Sequence, residues 1–369
     1  MLRRWQMPEV AAVGPSSARS SPGARAELRF HNAGIAGIVT TVGSQCRRFA
    51  DEAASMGLEG AEIARLQRAI GLEQRYVVGD NDTTTVDLCV ASARRLLAGL
   101  DLAPSDISGV ILVTQSPDYA APASATMIQH RLGIPVTSMA FDIRLGCSGY
   151  LYGLSVAYSL IEAGLPRLLV CVGDVASRFV DATDHSIAPL MGDAGTATIV
   201  ERRATPSHFQ LYSDGSGARA LMIPNSGLRT VPEDLGQPAL MQMNGAAVFN
   251  FTLQRVPGMI TDILAFAGRA ADDIDQFVLH QPNRYILRNL QKRMNVPDSR
   301  MPTATQSRFG NQNSASIPGT INGFLSDTYQ SGRVRSLLAG FGIGLSWGAA
   351  VVETDTIFAP PTFIGTEDA

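Results

Sequence analysis

The chain has 369 residues, of which 45% are apolar and 17% charged, a balance ordinary for a folded chain with a sizeable core and too apolar for a disordered one. Its 30 Lys and Arg against 33 Asp and Glu leave a net charge of −3, so it carries no global basic field of the kind that binds nucleic acid. Four cysteines without CxxC spacing make no disulfide framework and suit a reducing, cytoplasmic setting, and the longest apolar run, 337–352, is too short and too broken by glycine to span a membrane.

In chain order, residues 1–32 read as a flexible N-terminal extension. Ser, Ala, Pro and Arg dominate to about Ala26, a composition that transit peptides share, and there is no apolar stretch of the secretory kind. Regular structure is expected from about Ile35, where IAGIVTTVG is a β-branched run ending in Gly43. Residues 49–70 space their apolar side chains by three and four and read as helices. Residues 84–100 form an amphipathic helix whose stripe includes Val86, Val90, Ala93 and Leu97. VILVT at 110–114 reads as a buried parallel strand, 125–132 as a helix, 139–143 as a short strand, 149–163 as a helix and 168–173 as a second buried strand. This alternation predicts an α/β fold with a mainly parallel sheet.

The composition turns polar near residues 204–207, which divides the chain into halves at 33–206 and 207–369. The second half echoes the first. Asp106-Ile107 leads into VILVT and Gln115-Ser116-Pro117, while Asp273-Ile274 leads into FVL and His280-Gln281-Pro282. Gly192-Asp193-Ala194-Gly195 runs into TATIVE, and Gly342-Ile343-Gly344 runs into LSWGAAVVE. Two echoes in the same order indicate an internal duplication.

Four segments carry chemistry. In FDIRLGCSGYLYGL, 141–154, a strand ends, Gly146 permits a tight turn, and Cys147 sits where a helix begins. Such an elbow exposes the sulfur, points the free N–H groups of the first helical turn at it, and favours the thiolate through the helix dipole. A buried structural cysteine is the alternative that this segment leaves open. Cys46, Cys89 and Cys171 lack the elbow. In FVLHQPN, 277–283, His280 ends a buried strand, the place where parallel sheets present ligands; a satisfied structural histidine is the alternative. The other four histidines, His31, His130, His185 and His208, read as lying in loops or on helix faces. In RFGNQNSASIPG, 308–319, the Asn311 amide can donate to an oxygen anion, although helix-capping loops need the same residue types. In GFGIGLSWGAAVVE, 340–353, alternating glycines let backbone approach a ligand, but the spacing is not a dinucleotide fingerprint. Asp80-Asn81-Asp82 lacks the Gly and Glu of a calcium loop, and no metal site is expected.

Together and in this order, these segments resemble the β-ketoacyl-(acyl-carrier-protein) synthase III (ketosynthase III) family of the thiolase superfamily. So do SPDYAAPASATMIQHRLG, GDVASRFVDATDHS, MGDAGTATIV and MNGAAVFNF, and the resemblance spans about 33–355. It implies a thiolase fold, with a duplicated five-layered αβαβα subunit, and a homodimer in which the neighbour contributes to the acyl pocket. The family's catalytic set falls on Cys147, His280 and Asn311. A biosynthetic thiolase would carry a further Cys near its end and an elongating ketosynthase a further His, yet none follows Cys171 or His280.

The implied reaction transfers an acyl group to Cys147, with the backbone N–H groups of Cys147 and Ile343 as oxyanion hole. His280 and Asn311 then stabilise the enolate as a malonyl thioester loses CO2, and a β-ketoacyl thioester forms without metal or redox cofactor. The implied partners are an acyl carrier protein and an acyl-CoA or acyl-carrier donor. The basic helix carrying Arg284, Arg288, Lys292 and Arg293 matches the family's carrier-docking element. Where some members hold the CoA adenine between Trp and Arg, this chain has Arg65 and His185. Ala121 stands at an acyl-pocket position often filled by Phe, which implies room for a longer or bulkier acyl group. Two other readings stay open: transfer of the acyl group from Cys147 to an alcohol or amine, and a non-catalytic role in a hetero-oligomer.

Overall fold

The structure is a computed structural model that describes residues 24–55, 59–184, 186–232, 236 and 238–367. The first half contains β1 (Ala26–Phe30), β2 (Ala33–Val42), β3 (Gln45–Arg48), α1 (Phe49–Ser55), α2 (Gly60–Ile70), β4 (Gln74–Val77), α3 (Thr85–Gly99), β5 (Gly109–Val113), α4 (Ser124–Arg131), β6 (Met139–Ile143), α5 (Gly149–Glu162), β7 (Arg167–Asp174) and β8 (Ala194–Arg202). The second contains β9 (Ser207–Ser213), β10 (Leu221–Met222), β11 (Gln242–Met243), α6 (Gly245–Ala267), β12 (Gln276–Leu279), α7 (Arg284–Met294), α8 (Thr305–Phe309), α9 (Ser316–Phe324), α10 (Ser326–Ser331), β13 (Val334–Gly342), β14 (Ser346–Thr354) and β15 (Phe363–Ile364).

The duplication predicted from the echoes is visible in the sheets. One has the order β15-β2-β8-β7-β5-β6 and the other β1-β9-β14-β13-β12. Within them, β2-β8-β7-β5 and β9-β14-β13-β12 correspond strand for strand. In each, two antiparallel pairings are followed by a parallel one. The echoed aspartates act alike. Asp106 accepts from the N–H of Ala103 at 2.9 Å and Asp273 from that of Ala270 at 2.8 Å, each closing a short turn before its strand.

Alternation along a strand sends successive side chains to opposite faces, and this builds the layers. Ile111 and Val113 of β5 join a central core with Tyr150, Leu151 and Leu154 of α5, Ile317 and Ile321 of α9, and Val278 and Leu338 of the other sheet. Val110 and Leu112 turn outward to meet α3 and α4. The outer face of the second sheet is covered by α6 and α7, through Val256, Ile260, Leu287 and Leu290. The result is the five-layered αβαβα arrangement. Among the described residues no helix is long and apolar enough to cross a membrane.

The sheets are mixed rather than mainly parallel as the alternation predicts, five of the nine pairings within the two being antiparallel, and two further expectations are corrected. The stretch set apart as an extension is not all extension: β1 lies inside it and pairs antiparallel with β9 from Ala26↔Leu211 to Phe30↔Ser207. Phe30 is held edge-on by Tyr158 and Phe209, at 5.5 and 5.6 Å between ring centroids. Residues 1–23 lie outside the described residues. The division at 206 is crossed twice, because β1 completes the second sheet and β15 pairs with β2 of the first. The second correction is His208, which lies on β9 rather than on a loop or helix face, with its ring against Phe266.

Candidate active site

The sequence places a glycine on each side of the nucleophile's turn, and the structure gives the reason. A Cβ on Gly146 would sit 2.3 Å from Gln115 Oε1 and 2.4 Å from Ile343 Cγ2. A Cβ on Gly342 would sit 2.8 Å from both Cβ and Sγ of Cys147. The hairpin between β13 and β14 can therefore close over Cys147 only where side chains are missing, and it brings the backbone N–H of Ile343 to the sulfur beside that of Cys147 itself. Ser148 and Ser346 lock the two turns together through their hydroxyls, 2.7 Å apart. Gly342→Ala is expected to lower acylation of Cys147 by about 100-fold with folding retained. Adduct formation followed by mass, beside a circular-dichroism melt, checks it.

Cys147 corrects one expectation. The elbow predicts a thiol pulled toward the thiolate, but burial pushes it up to about 12, and the Asp174 carboxylate adds to the rise. The N–H groups of Ile343 and Cys147 pull the other way and do not outweigh burial. At neutral pH the resting group is a thiol whose sulfur already faces two backbone donors.

His280 stands at the end of β12, where its N–H donates to Ala339 O at 2.8 Å. Its ring packs edge-on to Phe341 and is only 2% exposed, and burial pushes it down to about 3, so it is uncharged at neutral pH. Nδ1 lies 2.8 Å from Ser316 Oγ, which leaves Nε2 for chemistry. Asn311 is clamped between strand ends: its N–H donates to Leu190 O at 2.7 Å and its carbonyl accepts from Gly192 N at 3.0 Å. Its side-chain Oδ1 accepts from the N–H of Asn313 at 3.0 Å, so the NH2 group is the end left to donate.

These groups converge on one chamber of ≈ 50 Å³. Cys147, His280, Asn311, Asn313 and Gln115 form its polar end, and Met191, Met241, Met243, Leu221, Val248 and Phe341 line the rest. A small space with two amide-type donors, a neutral imidazole and a thiol suits acyl transfer and stabilisation of an oxygen anion.

Other predicted residues lie outside the chamber. Ala121 is exposed, at a cis peptide bond with Pro122, and is not part of the chamber wall within one chain. Arg65 is exposed on α2, a helix that packs against α7, and His185 lies outside the described residues. Arg284, Arg288, Lys292 and Arg293 are exposed on α7, which also sends Ile286 into the chamber. Arg288 and Lys292 flank an open groove of ≈ 720 Å³, with Tyr285 on its wall. Arg293 is partly committed, donating to Leu253 O at 3.0 Å.

Sequence reasoning missed Gln115 and Asp174, and it placed Asn313 only as part of the segment around Asn311. A signal for Gln115 existed. In the duplication Gln115-Ser116-Pro117 is the counterpart of His280-Gln281-Pro282, so both residues end equivalent strands and reach the same chamber.

Comparison with known proteins gives the chain its relatives. Residues 141–215 match the family described as 3-oxoacyl-[acyl-carrier-protein (ACP)] synthase III, and residues 264–354 match its C-terminal counterpart. A β-ketoacyl-[acyl-carrier-protein] synthase III of Synechocystis sp. is 32% identical over 301 residues, covering 78% of this chain and 88% of that relative. One of Streptococcus equi subsp. equi is 33% identical over 295 residues, covering 77% and 88%. The crystal structure of a 3-oxoacyl-(acyl-carrier protein) synthase of Burkholderia xenovorans superposes with a TM-score of 0.88 at 34% identity, covering 92% of this chain and 99% of that one.

Proposed function

This chain belongs to the 3-oxoacyl-[acyl-carrier-protein] synthase III family, and from that premise we propose that Cys147, His280 and Asn311 carry its chemistry. It is a condensing enzyme of the β-ketoacyl-acyl-carrier-protein synthase III type with a thiolase fold. The observation that supports the residue roles is the convergence of Cys147, His280, Asn311 and the Ile343 turn on one small chamber.

In the first half-reaction the Cys147 sulfur attacks the carbonyl carbon of an acyl thioester. The new S–C bond forms as the donor's C–S bond breaks, and the thiol proton leaves for the departing thiolate. The oxygen anion formed on the way lies at the N–H groups of Cys147 and Ile343. In the second, a malonyl thioester places its carbonyl against Asn311 Nδ2 and His280 Nε2. The C–CO2 bond breaks, its electron pair becomes an enolate held by these donors, and the enolate carbon attacks the acyl carbon on Cys147. Expulsion of the sulfur, which takes a proton from solvent, releases the β-ketoacyl thioester. Donation from Nε2 requires Ser316 to turn its hydroxyl proton to Nδ1 rather than to the Asn313 carbonyl, and each of these lies 2.8 Å from Oγ. Atoms and charges balance without metal or redox cofactor, and the overall enzyme class is acyltransferase.

The acidic partner is an acyl carrier protein, and the exposed cations of α7 support this because they stand on the helix that also lines the chamber. A homodimer is supported by β6, an edge strand of the first sheet whose Met139 is 40% exposed, and by Tyr119, two residues before Ala121, at 60%. A partner subunit there is what the acyl-pocket role of exposed Ala121 requires. The chamber is small as it stands, but three of its wall residues are methionines, whose unbranched side chains repack readily. Acyl groups longer than acetyl are therefore the expected donors, carried on CoA or on the carrier protein, and a reducing cytoplasm is the setting the thiol needs. The test is CO2 release from a malonyl thioester with acyl donors of graded length. Release that requires both substrates, and that persists beyond acetyl, is expected. Resolution of the acyl group by an alcohol or amine without CO2 would replace this reading.

A further inference from the structure

Asp174 is a buried carboxylate with no part in the reaction as described, although it ends β7 close to the nucleophile. It is 1% exposed. One oxygen is saturated: Oδ1 accepts from Gln115 N at 2.7 Å and from the hydroxyls of Thr114 and Ser116 at 3.1 Å each. The other, Oδ2, is buried without a partner at hydrogen-bonding distance. Burial pushes this carboxyl up to about 6, and the Asn313 side chain, which lies against it, works the other way and favours the ionised form that prevails at pH 7.

Asn313 touches each of the three reactive residues. Its backbone N–H donates to Asn311 Oδ1 at 3.0 Å. Its backbone carbonyl lies 2.8 Å from Ser316 Oγ and competes with His280 Nδ1 for that hydroxyl's one proton. Its side-chain Oδ1 faces Cys147 Sγ at 4.0 Å, the reach of a weak S–H···O hydrogen bond. All this is done from a left-handed backbone, φ 48°, a conformation asparagine tolerates better than most residues. The amide oxygen faces the thiol, and the NH2 group is the end left toward Asp174, whose Oδ2 has no other partner.

We propose that Asp174 and Asn313 form a positioning pair for Cys147, in which the carboxylate orients the Asn313 amide and the amide oxygen holds the thiol proton until an acyl donor enters. This rests on Cys147 being the nucleophile. The pair keeps the resting sulfur protonated by two means, an acceptor for its proton and a negative charge behind that acceptor. The titratable groups facing the thiol are Asp174 from β7 and His280 from the end of β12. His280 is uncharged across the neutral range, so the charge acting on the thiol is that of Asp174.

The test is the pH dependence of Cys147 alkylation by iodoacetamide, read by mass spectrometry on the peptide that carries it. Exposed Cys46, on β3, serves in the same sample as internal control. Asp174→Asn removes the charge but keeps an oxygen for Gln115, Thr114 and Ser116. Asn313→Gly removes the side chain but keeps the backbone groups that hold Asn311 and Ser316, at a φ that glycine accepts. Each variant is expected to lower the alkylation midpoint by about one pH unit, so that Cys147 reacts about tenfold faster at pH 7 while Cys46 does not change. A midpoint that stays put or rises in a folded variant overturns the proposal; should one variant fail to fold, the other decides. No acyl donor is present, so the outcome is independent of whether the enzyme condenses. The condensation reading fails separately, by absence of an acyl adduct on the wild-type protein.

Discussion

Cys147→Ala lowers formation of the β-ketoacyl product by about 10,000-fold or more, because both half-reactions run through a bond to its sulfur. Nothing else in the chamber replaces it. Cys89 and Cys171 are buried in a different core, between α3 and the outer face of the first sheet, and Cys46 lies on the surface. The loss is specific to chemistry, since the sulfur's side-chain contact is the long one to Asn313 at 4.0 Å and alanine fits the space that Gly342 leaves. The melting temperature is expected to stay within a few degrees of wild type, about the effect of 1 kcal/mol or less. Product formation and a thermal melt on the same preparation check both halves of this expectation.

The second large effect separates the half-reactions. His280→Ala lowers CO2 release from the malonyl thioester by about 100- to 1,000-fold, the usual consequence of removing one donor from an oxyanion site. Acylation of Cys147 continues in this variant, because its oxygen anion is held by the backbone donors at Cys147 and Ile343. The contrast follows from geometry. The two backbone donors come from the elbow and from the β13–β14 hairpin, while His280 and Asn311 come from the ends of β12 and of the loop before α9. Two oxygen sites are thus built from separate parts of the chain. Acyl-enzyme accumulation with little CO2 is the signature to look for, by mass and by trapped gas. Loss of acylation in the same proportion would mean that His280 removes the thiol proton as well.

Much of this was legible in the residues. The strand Met139–Ile143 and the helix beginning at Gly149 fall where the apolar pattern places them, because both are local signals: β-branched or apolar residues that end at glycine. The duplication was legible for a similar reason, since Asp106 and Asp273 close the same turn before equivalent strands. The strand Ala26–Phe30 was not. AELRF has weak alternation beside an Arg-rich stretch, and its partner lies about 180 residues away in β9, so its pairing is a property of the folded sheet. The thiol's protonation was misread because the sequence displays a helix start but not how deeply it is buried. Asp174 and Asn313 lie in segments that the sequence singles out, GDVASRFVDATDHS and RFGNQNSASIPG, but nothing there pairs them; they matter once the ends of β7 and of the loop before α9 meet at Cys147. Ala121, exposed and outside the chamber wall, marks the complementary limit, since nothing within one chain gives it a role.

The measurement that bears most directly on the central claim is intact mass of the protein, followed in time, after mixing with an acyl thioester donor and then with a malonyl thioester. An adduct of the acyl group's mass on Cys147, absent in Cys147→Ala, that disappears on addition of the malonyl thioester with one CO2 released per adduct lost, is the expected result. An adduct on another residue, or one that malonyl thioester leaves in place, would contradict it.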